Sequence, residues 1–247
     1  MTQAAAIIQS RMNSTRCPGK ALRPLAGEPM TEHIIKRVRQ VTELDRIVLA
    51  VPDSPSEGPL VDLARRMKVD VVKGPEEDVL QRFIIAGETV QADHILRVCG
   101  DNPLIDINLA RSLVRHHLEN NADYCIPADP TPPGTVTEMV SLKALKKIAQ
   151  TTTDPVYREH VITYIHDHPE TFTVEKIPAP PYLRDKTFRL TMDTEKDFQL
   201  MEKLYARFYD PSVTVVDLEK VVAYLESHPE IACLNAGVAQ KDWRAEQ

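Results

Sequence analysis

The sequence predicts an α/β protein built on a mostly parallel, doubly wound sheet. Two observations carry that class. Short apolar runs of strand length alternate with segments that are apolar at helical spacing through the first half of the chain, the rhythm of βαβ units. The first run, Ala4-Ala5-Ala6-Ile7-Ile8, has no polar face, as expected of a central strand buried on both sides.

The elements follow in order. After the first strand comes a polar loop over residues 10–20, then an amphipathic helix over 32–38. Residues 46–51 read as a second strand, closed by Pro52-Asp53-Ser54-Pro55, and 60–67 as a helix. A third strand over 70–73 stops at Gly74-Pro75. The next helix is expected over 76–89, with acidic residues in its first turn where the helix dipole favours them. A fourth strand over 94–99 is cut off by Gly100-Asp101-Asn102-Pro103, and a helix over 107–120 leads to a fifth strand over 123–126. Beyond Pro127 the rhythm changes. A stiff loop, Asp129-Pro130-Thr131-Pro132-Pro133-Gly134, precedes a short strand over 138–140 and a helix over 142–149. Asp154-Pro155 opens a helix carrying Arg158, Glu159 and His160, with proline suited to the first turn. Strands are expected over 172–177 and 187–191, and helices from Thr194-Glu195 and over 217–227.

The loop after the first strand holds Arg11, Arg16 and Lys20, with Pro18-Gly19 turning the chain before the lysine. In open α/β sheets ligands bind at the carboxyl ends of strands, and three cations there suit a polyphosphate. A solvated basic face is the plainer alternative. The loop is not a P-loop: Ser14 stands where the first glycine would be, and Ala21 follows the lysine. Asp101 follows the fourth strand, so its carboxylate opens into the same crevice or merely serves the turn. Asp193, before a helix start, reads either as a helix cap or as a second acid meeting Asp101, a pair suited to magnesium. Arg158, Glu159 and His160 are consecutive on a helix and cannot all face one way. His116, His117, His166 and His168 sit in charged, solvent-like surroundings and are given no role.

The totals narrow the class. The 247 residues are 43% hydrophobic and 27% charged, ordinary for a globular enzyme. A net charge of -6 disfavours a general nucleic-acid surface, so the basic loop is a local device. No apolar run approaches membrane length, so no membrane partner is expected. Cys17, Cys99, Cys125 and Cys233 are far apart without a CxxC pair, which disfavours zinc or disulfides and points to the cytoplasm.

The segment from Ile7 to Lys20, Ile-Ile-Gln-Ser-Arg-Met-Asn-Ser-Thr-Arg-Cys-Pro-Gly-Lys, resembles the IIQARxxSTRLPGK signature of cytidylyltransferases related to spore coat polysaccharide biosynthesis protein F. These are cousins of the acylneuraminate and 3-deoxy-manno-octulosonate enzymes. The likeness continues through Gly74-Pro75-Glu76-Glu77-Asp78-Val79-Leu80-Gln81-Arg82, Gly100-Asp101-Asn102-Pro103, Arg158-Glu159-His160-Val161 and Leu190-Thr191-Met192-Asp193-Thr194. It implies a nucleotide-diphosphosugar-transferase (GT-A-like) fold and transfer of CMP from CTP to a sugar or sugar-phosphate acceptor, releasing pyrophosphate. By resemblance, Arg11 and Lys20 bind the triphosphate with Arg16 assisting, and Gln9 and Ser10 join the nucleotide site. Gly74 and Glu76 lie near the cytosine or ribose, and Asp101 and Asp193 hold Mg2+. Glu138, Arg158 and His160 are the acceptor-side candidates. One domain is expected over 1–247, with a nucleotide-binding half (1–127), an acceptor and metal half (128–227) and a tail (228–247). A homodimer is the base-rate expectation. Two positions depart from the pattern: Cys17 replaces a leucine, and Val136 stands where the PDGLDVE segment of relatives is acidic. A nucleotide-sugar glycosyltransferase is the nearest rival, but Asn102-Pro103 after Asp101 breaks its usual Asp-x-Asp. A non-catalytic nucleotide-binding module is the rival of another class.

Overall fold

Ala4–Gln9 forms β1, buried along its length until Gln9, and takes an interior position, third of seven, in the large sheet. The computed structural model describes residues 3–239. A small hairpin follows, β2 (Pro24–Leu25) and β3 (Glu28–Pro29), then α1 (Met30–Val38), β4 (Arg46–Pro52), α2 (Gly58–Met67) and β5 (Asp70–Gly74). Next come α3 (Val79–Thr89), β6 (His94–Cys99), α4 (Ile107–Asn120), β7 (Tyr124–Pro127) and β8 (Glu138–Ser141). The chain continues through α5 (Leu142–Thr151), α6 (Pro155–His160), α7 (Thr163–Asp167) and β9 (Val174–Ile177). It closes with α8 (Glu195–Phe208), α9 (Leu218–Ser227) and the short α10 (Pro229–Ala232).

The large sheet runs β5-β4-β1-β6-β8-β7-β9. In β1, Ile7 lies opposite Val48 of β4 and Arg97 of β6, both pairings parallel. Among the described strands of this sheet β8 alone is reversed, pairing antiparallel with β6 (Arg97 opposite Glu138) and with β7 (Tyr124 opposite Val140). The sheet is therefore mostly parallel, as expected, and a strand from the second half of the chain is inserted into it.

Helices cover both faces, which is why the β1 run lacks a polar side. Ala6 and Ile8 pack with Leu49, Val51 and Leu96 under α1, α2, α4, α8 and α9. Ala5 and Ile7 pack with Val48, Ala50 and Ile95 under α3, α5 and α7. Among the described residues no helix is long and apolar enough to cross a membrane.

Three expectations need correction. Residues 187–191 form no strand. The segment is extended but crosses loops at the sheet's carboxyl edge, where single bonds replace a ladder: the Leu190 amide donates to the Pro133 carbonyl (2.7 Å) and the Met192 amide to the Asp101 carbonyl (2.8 Å). Gly134, at φ +98°, permits that crossing, because a Cβ there would lie 2.2 Å from the Leu190 carbonyl. Second, the helix expected from residue 76 begins at Val79. Asp78 is its cap, accepting from the Gln81 amide at 2.8 Å, so Glu76 and Glu77 lie in the preceding turn. Third, His117 is fully buried and not solvated. It falls on the apolar stripe of α4 with Leu113 and Val114, and its Nε2 is 2.8 Å from Nδ1 of His94. Of the expected tail, residues 240–247 lie outside the described residues.

Candidate active site

The carboxyl ends of β1 and β6 meet where the polypeptide has no room for a side chain. The Gly100 amide donates to the Gln9 carbonyl at 2.8 Å, and a Cβ at Gly100 would sit 2.4 Å from that oxygen. This close approach carries Asp101 to the edge of the 10–20 loop. The loop is pinned from below: the Met12 amide donates to both carboxylate oxygens of Glu57 (3.2 and 3.0 Å), a residue with no exposed surface. Gly19 adopts φ +67°, and its amide closes back on the Met12 carbonyl, turning Lys20 inward.

Lys20 then joins three segments distant in sequence. Its Nζ lies 3.1 Å from Oδ2 of Asp101 and 2.9 Å from Oδ1 of Asp193. Asp193 also receives Arg16 at 3.3 Å and Arg189 at 2.9 Å, both on Oδ2. Burial pushes the Asp101 carboxyl above its usual range, with Lys20 opposing that shift and the charge of Asp193 adding to it. Burial also works against ionisation of Asp193, but Lys20 and then Arg16 hold its carboxyl below the usual range. Lys20 is desolvated too, yet the two carboxylates raise its affinity for the proton.

Asp193 is free for this role because the capping duty falls elsewhere. Thr194 is the cap of α8: its Oγ1 accepts from the Asp197 amide, while an Asp197 carboxylate oxygen accepts from the Thr194 amide at 2.9 Å.

A cleft of about 550 Å³ opens over this cluster. Gln9, Ser10, Arg11, Arg16, Lys20, Asp101, His160 and Asp193 all line it. Four other predicted site residues are not among the lining residues. Gly74 abuts Arg82, where a Cβ would come within 3.1 Å of that side chain, and Glu76 acts on Arg82 through its charge. Glu138 pairs with Arg97 at 2.9 Å across the β6–β8 register. Arg158 is taken by Asp78, with contacts of 2.9 and 2.6 Å, and so ties α6 to the start of α3.

The structure also adds residues that sequence reasoning left without a role. Arg82 lines the cleft though 3% exposed, and its Nε and Nη1 have no partner among the described residues. Burial, reinforced by Arg11, lowers its hold on the proton. Arg97 and Cys99 line the floor, and burial pushes the Cys99 thiol up to about 11, so it stays protonated at neutral pH. The available signal was charge at core positions. Arg82 is three residues after Val79 on the buried side of α3, and Arg97 interrupts an apolar strand.

Residues 5–229 match the family model described as cytidylyltransferase. The chain belongs to the cytidylyltransferase family. It is a nucleotidyltransferase enzyme by that membership. It is 33% identical over 232 residues to the spore coat polysaccharide biosynthesis protein SpsF of Bacillus subtilis (strain 168), covering 92% of this chain and 95% of that protein. Its fold is similar to a cytidylyltransferase from Leptospira borgpetersenii, with TM-score 0.87 and 24% identity over 94% of this chain and 97% of the other. A CMP:2-keto-3-deoxy-manno-octonic acid synthetase, solved in complex with CTP, shares the fold more distantly, with TM-score 0.60 and 16% identity over 92% of this chain and all of the other. In this cytidylyltransferase the matched region spans the 10–20 loop, Asp101 and Asp193, the three segments joined by Lys20.

Proposed function

We propose that this cytidylyltransferase transfers CMP from CTP to the oxygen of a sugar or sugar-phosphate acceptor and releases pyrophosphate. The observation that carries the reading is the Lys20 ammonium held between Asp101 and Asp193: the two acids converge on a position that a cation already fills. That position fits Mg2+, which takes oxygen ligands and keeps several waters. Among the described residues no group of three or more acids, histidines or cysteines could hold a metal alone, so phosphate oxygens and water would complete the set. Asp101 and Asp193 would hold the ion, which when bound neutralises phosphate oxygens and the leaving group.

The chain's own residues supply the rest. Arg11, Arg16 and Lys20 meet the triphosphate charge, and Lys20 exchanges its carboxylate partners for phosphate oxygens. The Arg82 fork, with two free donors, suits the acceptor edge of a nucleoside base on the Gly74 side of the cleft. The acceptor oxygen attacks the α-phosphorus in line, the bond to the bridging oxygen breaks, and pyrophosphate leaves with its electron pair. A proton is released only if the acceptor is a hydroxyl. Rate comes from positioning and fixed charge. The setting we assign, surface polysaccharide or glycoconjugate synthesis, rests on the name of the Bacillus relative.

Thermal unfolding with Mg2+ and each of CTP, UTP, ATP and GTP tests the nucleotide, since a ligand of the native state raises the midpoint by mass action. CTP is expected to raise it most, and pyrophosphate is expected to appear when a panel of sugars and sugar phosphates is added. A larger shift with another nucleotide, or glycosyl transfer from a nucleotide-sugar without pyrophosphate, would sink the reading.

A further inference from the structure

Asp193 is gripped from two directions with different prospects during turnover. Arg16 and Lys20 come from the loop assigned to the triphosphate, and Arg16 is 40% exposed. Once phosphate claims them, neither holds the carboxylate. The third cation, Arg189, shares Oδ2 with Arg16 but is not among the cleft-lining residues, and it is itself immobilised. Its Nε donates to Oδ1 of Asp197 at 3.0 Å while its Nη2 donates to Oδ2 of Asp193 at 2.9 Å. Asp197 has no exposed surface and takes the amides of Asp193 (3.1 Å) and Thr194 (2.9 Å) on its other oxygen. Asn235, 1% exposed, closes the brace: its Nδ2 donates to Asp197 Oδ1 at 2.7 Å and to the Arg189 carbonyl at 2.9 Å.

We infer that Arg189, braced by Asp197 and Asn235, is the positioning residue that fixes Asp193 through Oδ2 and leaves Oδ1 turned to the cleft for the metal. The inference rests on the reading that Asp193 holds the ion. Arg189 does not touch substrate in this account. It acts through Asp193 by occupying one oxygen and forbidding the carboxylate to rotate or to chelate with both. The capping box of α8 and the brace share Asp197, so the helix start and the acid are placed by one side chain.

The test uses the full chain and three variants, Arg189→Met, Arg189→Lys and Asn235→Ala. Mn2+ affinity at saturating CTP is read by the loss of the free-ion spin resonance signal, and CTP affinity in EDTA by calorimetry. Arg189→Met is expected to weaken Mn2+ binding about 10- to 100-fold, the usual cost of removing a partner of a metal ligand. CTP binding in EDTA should stay within about twofold, a difference of less than half a kcal/mol. Arg189→Lys should recover part of the loss, because it keeps the charge but not the fork. Asn235→Ala leaves every charge in place and should give a smaller loss in the same direction. Wild-type Mn2+ affinity in Arg189→Met, or equal weakening of Mn2+ and CTP, overturns the inference. Should Arg189→Met not fold, Asn235→Ala decides: unchanged Mn2+ affinity there overturns it. If the wild-type protein binds CTP but no Mn2+ at all, the functional reading fails along with it, a result distinguishable from a variant that binds like wild type.

Discussion

The two ends of β6 hold buried polar groups in opposite states. At its amino end His94 and His117 form a ring-to-ring hydrogen bond of 2.8 Å, and burial lowers both imidazoles, His117 to about 4. Both are therefore neutral at pH 7. Beyond its carboxyl end Asp101, Lys20 and Asp193 are paired as charges. Cavity size does not tell the ends apart, for the depression beside His94 is the larger, about 670 Å³ against 550 Å³. What differs is how the groups are held. The imidazoles come from a strand and a helix that pack as core. The charges come from loops and are matched by Lys20, a partner a ligand can replace. Charges kept in a cleft by a partner that a ligand could displace are the pattern expected of the proposed site, and neutralised groups are the pattern of packed core.

Substitutions at the two ends should separate these roles. Asp101→Asn is expected to cut turnover by roughly 10²–10³, the cost of one preorganised electrostatic contact. It should not lower the melting temperature. The Asp101 carboxyl is pushed up in the fold, so ionising it at neutral pH opposes folding, and the amide removes that penalty. Initial rates beside a thermal unfolding curve check both halves; activity and stability falling together would erase the contrast. His117→Ala should do the reverse. Emptying a fully buried site and stranding His94 is expected to cost about 2–3 kcal/mol of stability. Turnover per folded molecule, measured well below the melting transition, should be unchanged.

The contrast also explains what could be read from the residues alone. The alternation of strands and helices was legible because each β–α unit is local in sequence. Lys20 and Asp101 were legible because turn residues place them at strand ends. The meeting with Asp193 was not, since spacing offered a cap or a ligand with equal force. The outcome was decided by Thr194 and Asp197 taking the cap. The segment before Asp193 imitates a strand in its alternation, yet its partners are the carbonyls of Pro133 and Asp101, loops that no local pattern announces. Arg158 faces Asp78 for a similar reason: a helix wheel gives its direction but not what lies there. His117 was legible in principle, for its spacing from Leu113 and Val114 is that of a core position.

Acid should weaken the protein through the amino end. An imidazole lowered in the fold binds fewer protons than in the unfolded chain between its unfolded value near 6.5 and its folded value of about 4. Its contribution is complete above that window and is lost as pH falls through it. At pH 5.5 the loss from His117 is about 1.4 kcal/mol. Denaturant unfolding at pH 7.5 and 5.5 measures it, and the difference should shrink in a His117→Gln background. An undiminished difference there would remove His117 as the source of the acid sensitivity.

The smallest effect is expected at Arg158, which makes a structural ion pair that borders the proposed site. Its partner Asp78 caps α3, the helix bearing Arg82, and Arg158 lies on α6 just before Glu159 and His160, which line the cleft. Removing a partly buried ion pair of this kind costs about 1 kcal/mol, or about fivefold in an equilibrium constant. Arg158→Ala should therefore raise the acceptor KM by about that factor with CTP affinity little changed, because α6 shifts while the 10–20 loop stays pinned by Glu57. The mechanism is checked by a double-mutant cycle with Asp78→Ala. If Arg158 acts only through Asp78, its replacement should have no further effect once Asp78 is gone. A full fivefold loss in that background would instead mean that the guanidinium meets the acceptor directly.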